Sequence, residues 1–136
     1  MCRTSRRATL SPCSAPGVPA PAARYSMTAE VREARRWVLV SGQLPVAADG
    51  SVPAELGAQA ELVIAHLRAA LAHHGMDVGD IVKLSTYLTT REARQPWQQR
   101  RDALFAGLTP PASTQVIVAG LADPRCAIEV EAIAVA

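Results

Sequence analysis

Two glutamates, Glu129 and Glu131, lie two positions apart in an alternating apolar run that is predicted to form a β-strand. Because side chains alternate between the faces of a strand, both carboxylates leave the same face, roughly 7 Å apart. Glycoside hydrolysis uses two carboxyls that face each other across a sugar, and neighbours on one strand do not provide this geometry. Two alternatives stay open: a site role for one of the carboxylates, and a solvated or interface position for each of them.

Histidine and cysteine give no metal-binding pattern. His66 and His73 are seven residues apart on a predicted helix, two turns from each other, which is too far to share a metal ion readily. Cys2, Cys13 and Cys126 are odd in number and lack metal-ligand spacing, so neither a disulfide framework nor a zinc site is predicted. The sequence therefore predicts no metal ion and reduced thiols, as is typical of a cytoplasmic protein.

Ser41 and Arg125 are two further candidates. Ser41 has no base nearby in the sequence and no nucleophile-elbow motif around it, so a covalent mechanism is not predicted. Arg125 follows a predicted turn at 122–124, which favours a surface arginine, with a substrate-binding cation as the alternative.

Charge is distributed unevenly along the 136 residues. Residues 1–26 contain four arginines and no acid, whereas the rest contains 10 basic and 12 acidic residues, a formal charge of −2. A mildly acidic domain is a poor electrostatic partner for nucleic acid, so no nucleic-acid binding is predicted. No stretch approaches the roughly 20 apolar residues of a membrane span, so we expect a cytoplasmic protein without membrane contact.

The periodicity divides the chain into an extension and one domain. Residues 1–24 are rich in Pro, Ala and Arg and lack periodicity, so they are predicted to be disordered, and residues 25–136 are predicted to form the domain. The predicted order is β-β-α-β-α-β-β, with strands at 28–33, 37–41, 81–89, 113–119 and 126–135 and helices at 55–74 and 96–105. This order predicts an α+β fold, a mixed sheet with both helices on one face.

Finer expectations concern the helix surfaces. Thr89 and Glu92 have the spacing of a capping box before the second helix. Gln59, His66 and His73 recur every seven residues and are predicted to form a solvated polar stripe on the first helix.

The last two strands carry apolar side chains on both faces. Ile117 and Ile133 are predicted to lie on the face opposite Val116 and Val130. A domain of this size cannot cover both faces of its sheet, so the face with Ile117 and Ile133 is predicted to be buried in an oligomer.

Five short motifs occur in a fixed order: Tyr-Ser at 25–26, Ser-Gly-Gln-Leu-Pro at 41–45, Asp-Ile-Val-Lys at 80–83, Pro-Pro-Ala-Ser at 110–113 and Glu-Val-Glu-Ala-Ile-Ala at 129–134. Together they resemble the YjgF/RidA family of small trimeric imine deaminases. The resemblance implies a chorismate-mutase-like fold and a homotrimer that binds a small-molecule ligand between subunits. It also implies hydrolysis of 2-imino acids to 2-oxo acids and ammonia without a cofactor.

The resemblance also implies roles for individual residues. Glu129 matches the glutamate credited with holding the attacking water. The family has an arginine that grips the substrate carboxylate, and Ala112 stands at that position. Gln98 and Arg101 stand where the family has asparagine and tyrosine. The implied site consists of a catalytic glutamate and five substrate-binding positions: Glu129, Tyr25, Ser41, Gly42, Ala112 and Thr114.

Three functions are compatible with these residues. The first is an imine or enamine hydrolase of altered specificity, for a substrate without the usual carboxylate and with weak activity on imines derived from 2-aminoacrylate. The second is a non-catalytic binding or scaffold trimer of the same fold. The third is a ribonuclease-like role, which the acidic charge of the domain disfavours.

Overall fold

A computed structural model describes residues 8–11 and 15–136. Its strands are β1 (Ala8–Ser11), β2 (Thr28–Val31), β3 (Trp37–Gln43), β4 (Ile81–Leu88), β5 (Ala112–Ile117) and β6 (Ile128–Val135), and its helices are α1 (Leu56–His73) and α2 (Arg94–Leu104). From β2 onward the order of strands and α-helices is the predicted one, and the α+β class is confirmed. No helix among the described residues is both long and apolar enough to cross a membrane.

The main sheet has four strands in the order β3-β6-β4-β5. The pair β4–β5 is parallel and the other neighbours are antiparallel, so the sheet is mixed as predicted. Both helices pack on one face of it. Between sheet and helices lies a core that includes Leu67, Leu71, Leu84, Trp97 and Val130. We call the face turned away from the helices the open face.

Helix α1 follows its apolar spacing. Its buried side chains recur every three or four residues, so they form one stripe against the sheet. The helix ends at His73, and the chain turns away at Gly75, whose φ of 66° favours a residue without a Cβ, while Met76 N donates to Leu71 O at 3.0 Å. At the other end, Gly57 lies beside Arg100 of α2, and a Cβ there would come within 2.6 Å of its guanidinium. Glycine at 57 therefore lets the two helices approach.

The start of α2 differs from the prediction. The helix begins at Arg94 with Ala93 as N-cap, and no side chain caps it. Thr90 Oγ1 accepts a long 3.4 Å hydrogen bond from Ala93 N, whereas the predicted pair Thr89 and Glu92 does not form a capping box. The helix begins two residues before the predicted start at 96, and residues 90–93 make a turn of their own ahead of it, so Thr89 and Glu92 both lie outside the helix.

The two faces of the sheet are assigned by strand register. In β5, Val116 lies opposite Tyr87 and Ile117 lies opposite Leu88, which is buried beneath the helices. Ile117 therefore faces the helix side at the edge of the sheet, and Ile133 faces the open side. The prediction that both lie on one face is wrong, because strand 113–119 was assigned to the wrong face. Exposed apolar side chains of the open face are instead Trp37, Leu39 and Val116, at 54%, 72% and 41% exposure.

A two-stranded hairpin covers one end of the open face. Strands β1 and β2 pair antiparallel, with Ala8 opposite Val31. Ala8 and Leu10 are buried against Val82 and Val135 of the main sheet. Within residues 1–24, the segment 8–11 thus forms a strand instead of the expected disordered chain, since its alternation places two apolar side chains on the sheet. Residues 1–7 and 12–14 lie outside the described part of the chain.

The hairpin gives a first prediction. We expect Leu10→Ala to lower the free energy of unfolding by about 2 kcal/mol, the lower end for a buried leucine, because the strand is peripheral. Thr9→Ala, on the outer side of the same strand, should change it by less than about 0.5 kcal/mol. Urea unfolding of both variants measures the difference. If both variants change the free energy of unfolding by the same small amount, this result would contradict the packing of residues 8–11 on the main sheet.

Candidate functional site

Gly42 and Glu129 lie in direct contact on the open face. Strand β3 contains a bulge between Val40 and Gln43, where its register against β6 shifts. The bulge brings the Gly42 backbone under the Glu129 side chain, so closely that a Cβ at Gly42 would overlap the carboxylate and lie 2.8 Å from its Cδ. Bulges of this kind redirect a strand next to functional sites. Glycine at 42 is therefore required for the observed position of the Glu129 carboxylate.

A cavity surrounds this carboxylate, and we call it the Glu129 cavity. Its lining includes Gly42, Tyr87, Gly120, Glu129 and Glu131. The Tyr87 hydroxyl donates to Glu131 Oε1 at 2.9 Å, so the second carboxylate is occupied by a phenol. The hydrogen bond to Glu131, together with the negative charges of Glu131 and Glu129, raises the pKa of Tyr87. Glu129 accepts no side-chain hydrogen bond from the described residues, which leaves it available to a water or a ligand.

Gln59 holds the loop that leads into β6. Its side chain is buried, and Nε2 donates to Pro53 O at 2.9 Å and to Arg125 O at 3.1 Å, while Oε1 accepts from Ala127 N at 2.8 Å. The expectation of a solvated stripe is wrong for Gln59. Two loops bring backbone groups over it, and a buried amide is stable only with such partners. Through Ala127, this side chain fixes the start of the strand that carries Glu129.

Tyr25 lies at a different place, beside the edge strand β5. Ser26 is buried, its N donates to Pro111 O at 3.0 Å, and its Oγ donates to Pro110 O at 2.5 Å. These bonds hold Tyr25 against a groove between α2 and β5, whose lining includes Ser113 and Gln115. We call it the α2–β5 groove. Opposite β5 the groove is lined by four long polar side chains, one from the turn before α2 and three from α2: Arg91, Arg94, Gln98 and Arg101.

Ala112 and Thr114 do not line this groove. They alternate with Ser113 along β5 and face the open side, where Lys83 Nζ donates to Thr114 Oγ1 at 2.7 Å. Ser113 shares the groove with Tyr25, so an arginine introduced at Ala112 would point away from that groove. The strand spacing and register put Ala112 roughly 16 Å from Glu129. Ser41 is exposed in the β3 bulge, next to Gly42.

The predicted site residues therefore fall on two surfaces of one chain. Gly42 and Glu129 come together, while Tyr25 joins residues of α2 and β5 that sequence reasoning did not assign to the site, Ser113 and Gln115 among them. The substrate-binding roles of Tyr25, Ser41, Gly42, Ala112 and Thr114, and the catalytic role of Glu129, stay predictions. The alternation of β5 was the signal that could have found Ser113.

The remaining candidates are structural in the described chain. Arg125 Nη2 pairs with Asp123 Oδ2 at 2.7 Å and Nη1 donates to Gly50 O, so it is a turn arginine. Its guanidinium lowers the pKa of Asp123 to about 2. Cys126 is buried, and burial raises the pKa of its thiol. Among residues 8–11 and 15–136, no three His, Cys, Asp or Glu side chains are arranged to hold a metal ion.

Comparison with known proteins identifies the family. Residues 16–136 match the family model described as Endoribonuclease L-PSP. The chain belongs to this family, the YjgF/RidA proteins. It is 36% identical over 101 residues to the 2-iminobutanoate/2-iminopropanoate deaminase of Escherichia coli K12, covering 72% of this chain and 78% of that protein. It is 38% identical over 53 residues to the putative reactive intermediate deaminase TdcF of the same organism, a match that spans only 41% of TdcF.

Solved structures of YjgF/RidA proteins share the fold. The Rid-family protein YyfB from Yersinia pestis aligns with a TM-score of 0.76 at 28% identity, covering 83% of this chain and 87% of that one. The Escherichia coli YjgF gene product aligns with a TM-score of 0.69 at 30% identity, covering 92% and 97%. The chorismate-mutase-like fold expected from the resemblance is confirmed.

The pair Tyr87 and Glu131 gives a second prediction. In a Tyr25→Phe background Tyr87 is the only tyrosine, since the chain has two. We expect Glu131→Gln to lower the pKa of Tyr87, because it removes the negative charge that opposes phenolate formation and leaves only a neutral amide oxygen as the hydrogen-bond acceptor. Ultraviolet absorbance of the phenolate against pH measures this. Glu55→Gln, far from the phenol, is the control. An unchanged or higher pKa in Glu131→Gln would contradict the contact.

Proposed function

We propose that this YjgF/RidA protein is an imine or enamine deaminase of altered substrate specificity, which acts in clefts between the subunits of a homotrimer. The observation that carries the proposal is the contact between the Glu129 carboxylate and the Gly42 backbone. This contact supports the interpretation that the Glu129 carboxylate is held at one point of an open cavity, where it can bind a water molecule.

The proposed chemistry is hydrolysis of a C=N bond. Glu129 takes a proton from the attacking water, whose oxygen bonds to the imine carbon, and delivers that proton to the imine nitrogen. Collapse of the resulting carbinolamine breaks the C–N bond, and Glu129 assists the transfer of the proton to the leaving nitrogen. One imine and one water give one carbonyl compound and one ammonia, so no oxidant or reductant takes part.

The intersubunit location is supported by the division of the site. Glu129 and Gly42 lie on the open face, and Tyr25 lies in the α2–β5 groove. If one cleft uses Glu129 and Gly42 together with Tyr25, the open face of one subunit must contact the α2–β5 groove of its neighbour. The exposed apolar side chains Leu39 and Val116 on the open face support burial of that face against another copy.

Altered specificity is proposed because alanine occupies position 112, where the resemblance places the carboxylate-binding arginine. A methyl group forms no charge-assisted hydrogen bond. Ser113, the next residue of β5 and one that lines the groove, is also uncharged. The β5 strand therefore supplies no cation for a substrate carboxylate at these two positions. The second candidate, a non-catalytic binding trimer, is favoured by the same loss.

The catalytic proposal gives a third prediction. We expect Glu129→Gln to lower the rate of ammonia release from an accepted imine by about a hundredfold to ten-thousandfold, the usual contribution of a general base. A panel of imines, generated in situ by amine and amino-acid oxidases, is assayed against the spontaneous rate. Glu55→Gln, an exposed glutamate before α1, should keep wild-type activity. If the wild-type protein accelerates the hydrolysis of none of the imines, the result favours the non-catalytic binding trimer.

The homotrimer gives a fourth prediction. Light scattering at micromolar concentration should give the mass of three chains for wild type. Leu39→Lys should give monomers, because a lysine at this exposed position of the open face cannot be buried without a partner. Val18→Lys replaces an exposed apolar residue outside the sheet and should stay trimeric. A monomeric wild type would exclude the proposed cleft.

A further inference from the structure

The α2–β5 groove concentrates positive charge. Three arginines line it, Arg91, Arg94 and Arg101, and no aspartate or glutamate is among its lining residues. The part of the domain after residue 26 has a formal charge of −2, so this concentration does not follow from composition. A cluster of guanidinium groups in a concave site attracts an anion.

Among the residues that the structure describes, Arg101 alone of these three arginines pairs with a carboxylate. Arg101 is 5% exposed, and its Nη2 lies 2.8 Å from Asp102 Oδ1, with a second bond from Nε at 3.2 Å. Arg91 and Arg94 are exposed, and neither lies within salt-bridge distance of a carboxylate among the described residues. The groove therefore has two guanidinium groups whose charge the described side chains do not neutralise.

The start of α2 makes this arrangement unfavourable without a ligand. Arg94 is the first residue of an 11-residue helix that has no acidic residue in its first turn. The N-terminus of a helix carries a partial positive charge, so it favours anions and disfavours cations. Arg94, Gln98 and Arg101 follow at steps of four and three, which puts all three on one side of the helix. An anion in the groove would offset the repulsion at this helix end.

We propose that the α2–β5 groove binds a small-molecule oxyanion through Arg91 and Arg94. Arg101, fixed by Asp102, forms the inner wall, and the Gln98 amide is available to the neutral part of the ligand. The inference names the substrate class of the proposed deaminase and rests on that proposal. Its substrates are imines with an acidic group that Arg91 and Arg94 hold at the start of α2, and not at the position of an arginine on β5.

Titration calorimetry of the full chain tests the inference with three anions, pyruvate, phenylpyruvate and methyl phosphate, and with the neutral amides of the two oxo acids. We expect at least one anion to bind and its neutral analogue not to bind. Arg94→Gln and Arg91→Gln should each weaken binding by about tenfold to a hundredfold, the effect of one lost charge-assisted hydrogen bond. Arg68→Gln, which removes an exposed arginine of α1 outside the groove, should bind like wild type.

The same probes distinguish which acidic group the ligand carries. Binding of the oxo acids identifies a carboxylate, and binding of methyl phosphate alone identifies a phosphate ester. The inference is overturned if no anion binds, if the amides bind as well as the acids, or if Arg91→Gln and Arg94→Gln leave binding unchanged. It is also overturned if a labelled oligoribonucleotide binds wild type and these two variants abolish that binding while the small anions do not compete.

The ammonia assay separates this inference from the deaminase proposal. If anions bind and this binding depends on Arg91 and Arg94, but no imine of the panel is hydrolysed, the inference of anion binding in the groove is upheld and the deaminase proposal fails. If neutral imines are hydrolysed in a Glu129-dependent way, and Arg94→Gln changes neither their rate nor anion binding, the deaminase proposal stands and the groove inference fails.

Discussion

Alternation of side chains along β4 is the constraint from which the site geometry follows. This strand pairs with β6 on one side and with β5 on the other, so its register assigns three strands at once. Leu84, Thr86 and Leu88 turn toward the helices, and Lys83 and Tyr87 turn toward the open face. A shift of one residue would bury Glu129 under the helices and expose Val130 instead. The position of the proposed catalytic carboxylate is therefore decided by the hydrophobic core.

Much of the fold could be predicted from local patterns. Helix α1 has apolar residues at regular helical steps and a glycine at its end, so its bounds were within one residue of the observed ones. The final strand was also predicted, because alternation is strict there. The capping of α2 could not be predicted, since a turn at residues 90–93 leaves Thr89 and Glu92 outside the helix and no sequence pattern distinguishes this turn from a capping box.

The site was harder to predict than the fold. Ser113 joins Tyr25 only because Ser26 is hydrogen-bonded to Pro110 and Pro111, 84 and 85 positions away, and local sequence contains no sign of that contact. Gln59 was assigned to solvent because its own helix gives no hint of the two loops that cover it. Strand β1 was missed because four residues between prolines and arginines show too little alternation to be distinguished from a disordered tail.

The contact between Gly42 and Glu129 links two sequence positions that are 87 residues apart. A larger residue at 42 fits only if the side chain at 129 becomes shorter or turns away, because both occupy the same volume. The two positions should therefore behave as one unit when the chain is redesigned. A library that varies only position 129 samples only the side chains that fit beside glycine at 42. A new function at this cavity therefore requires changing both positions together.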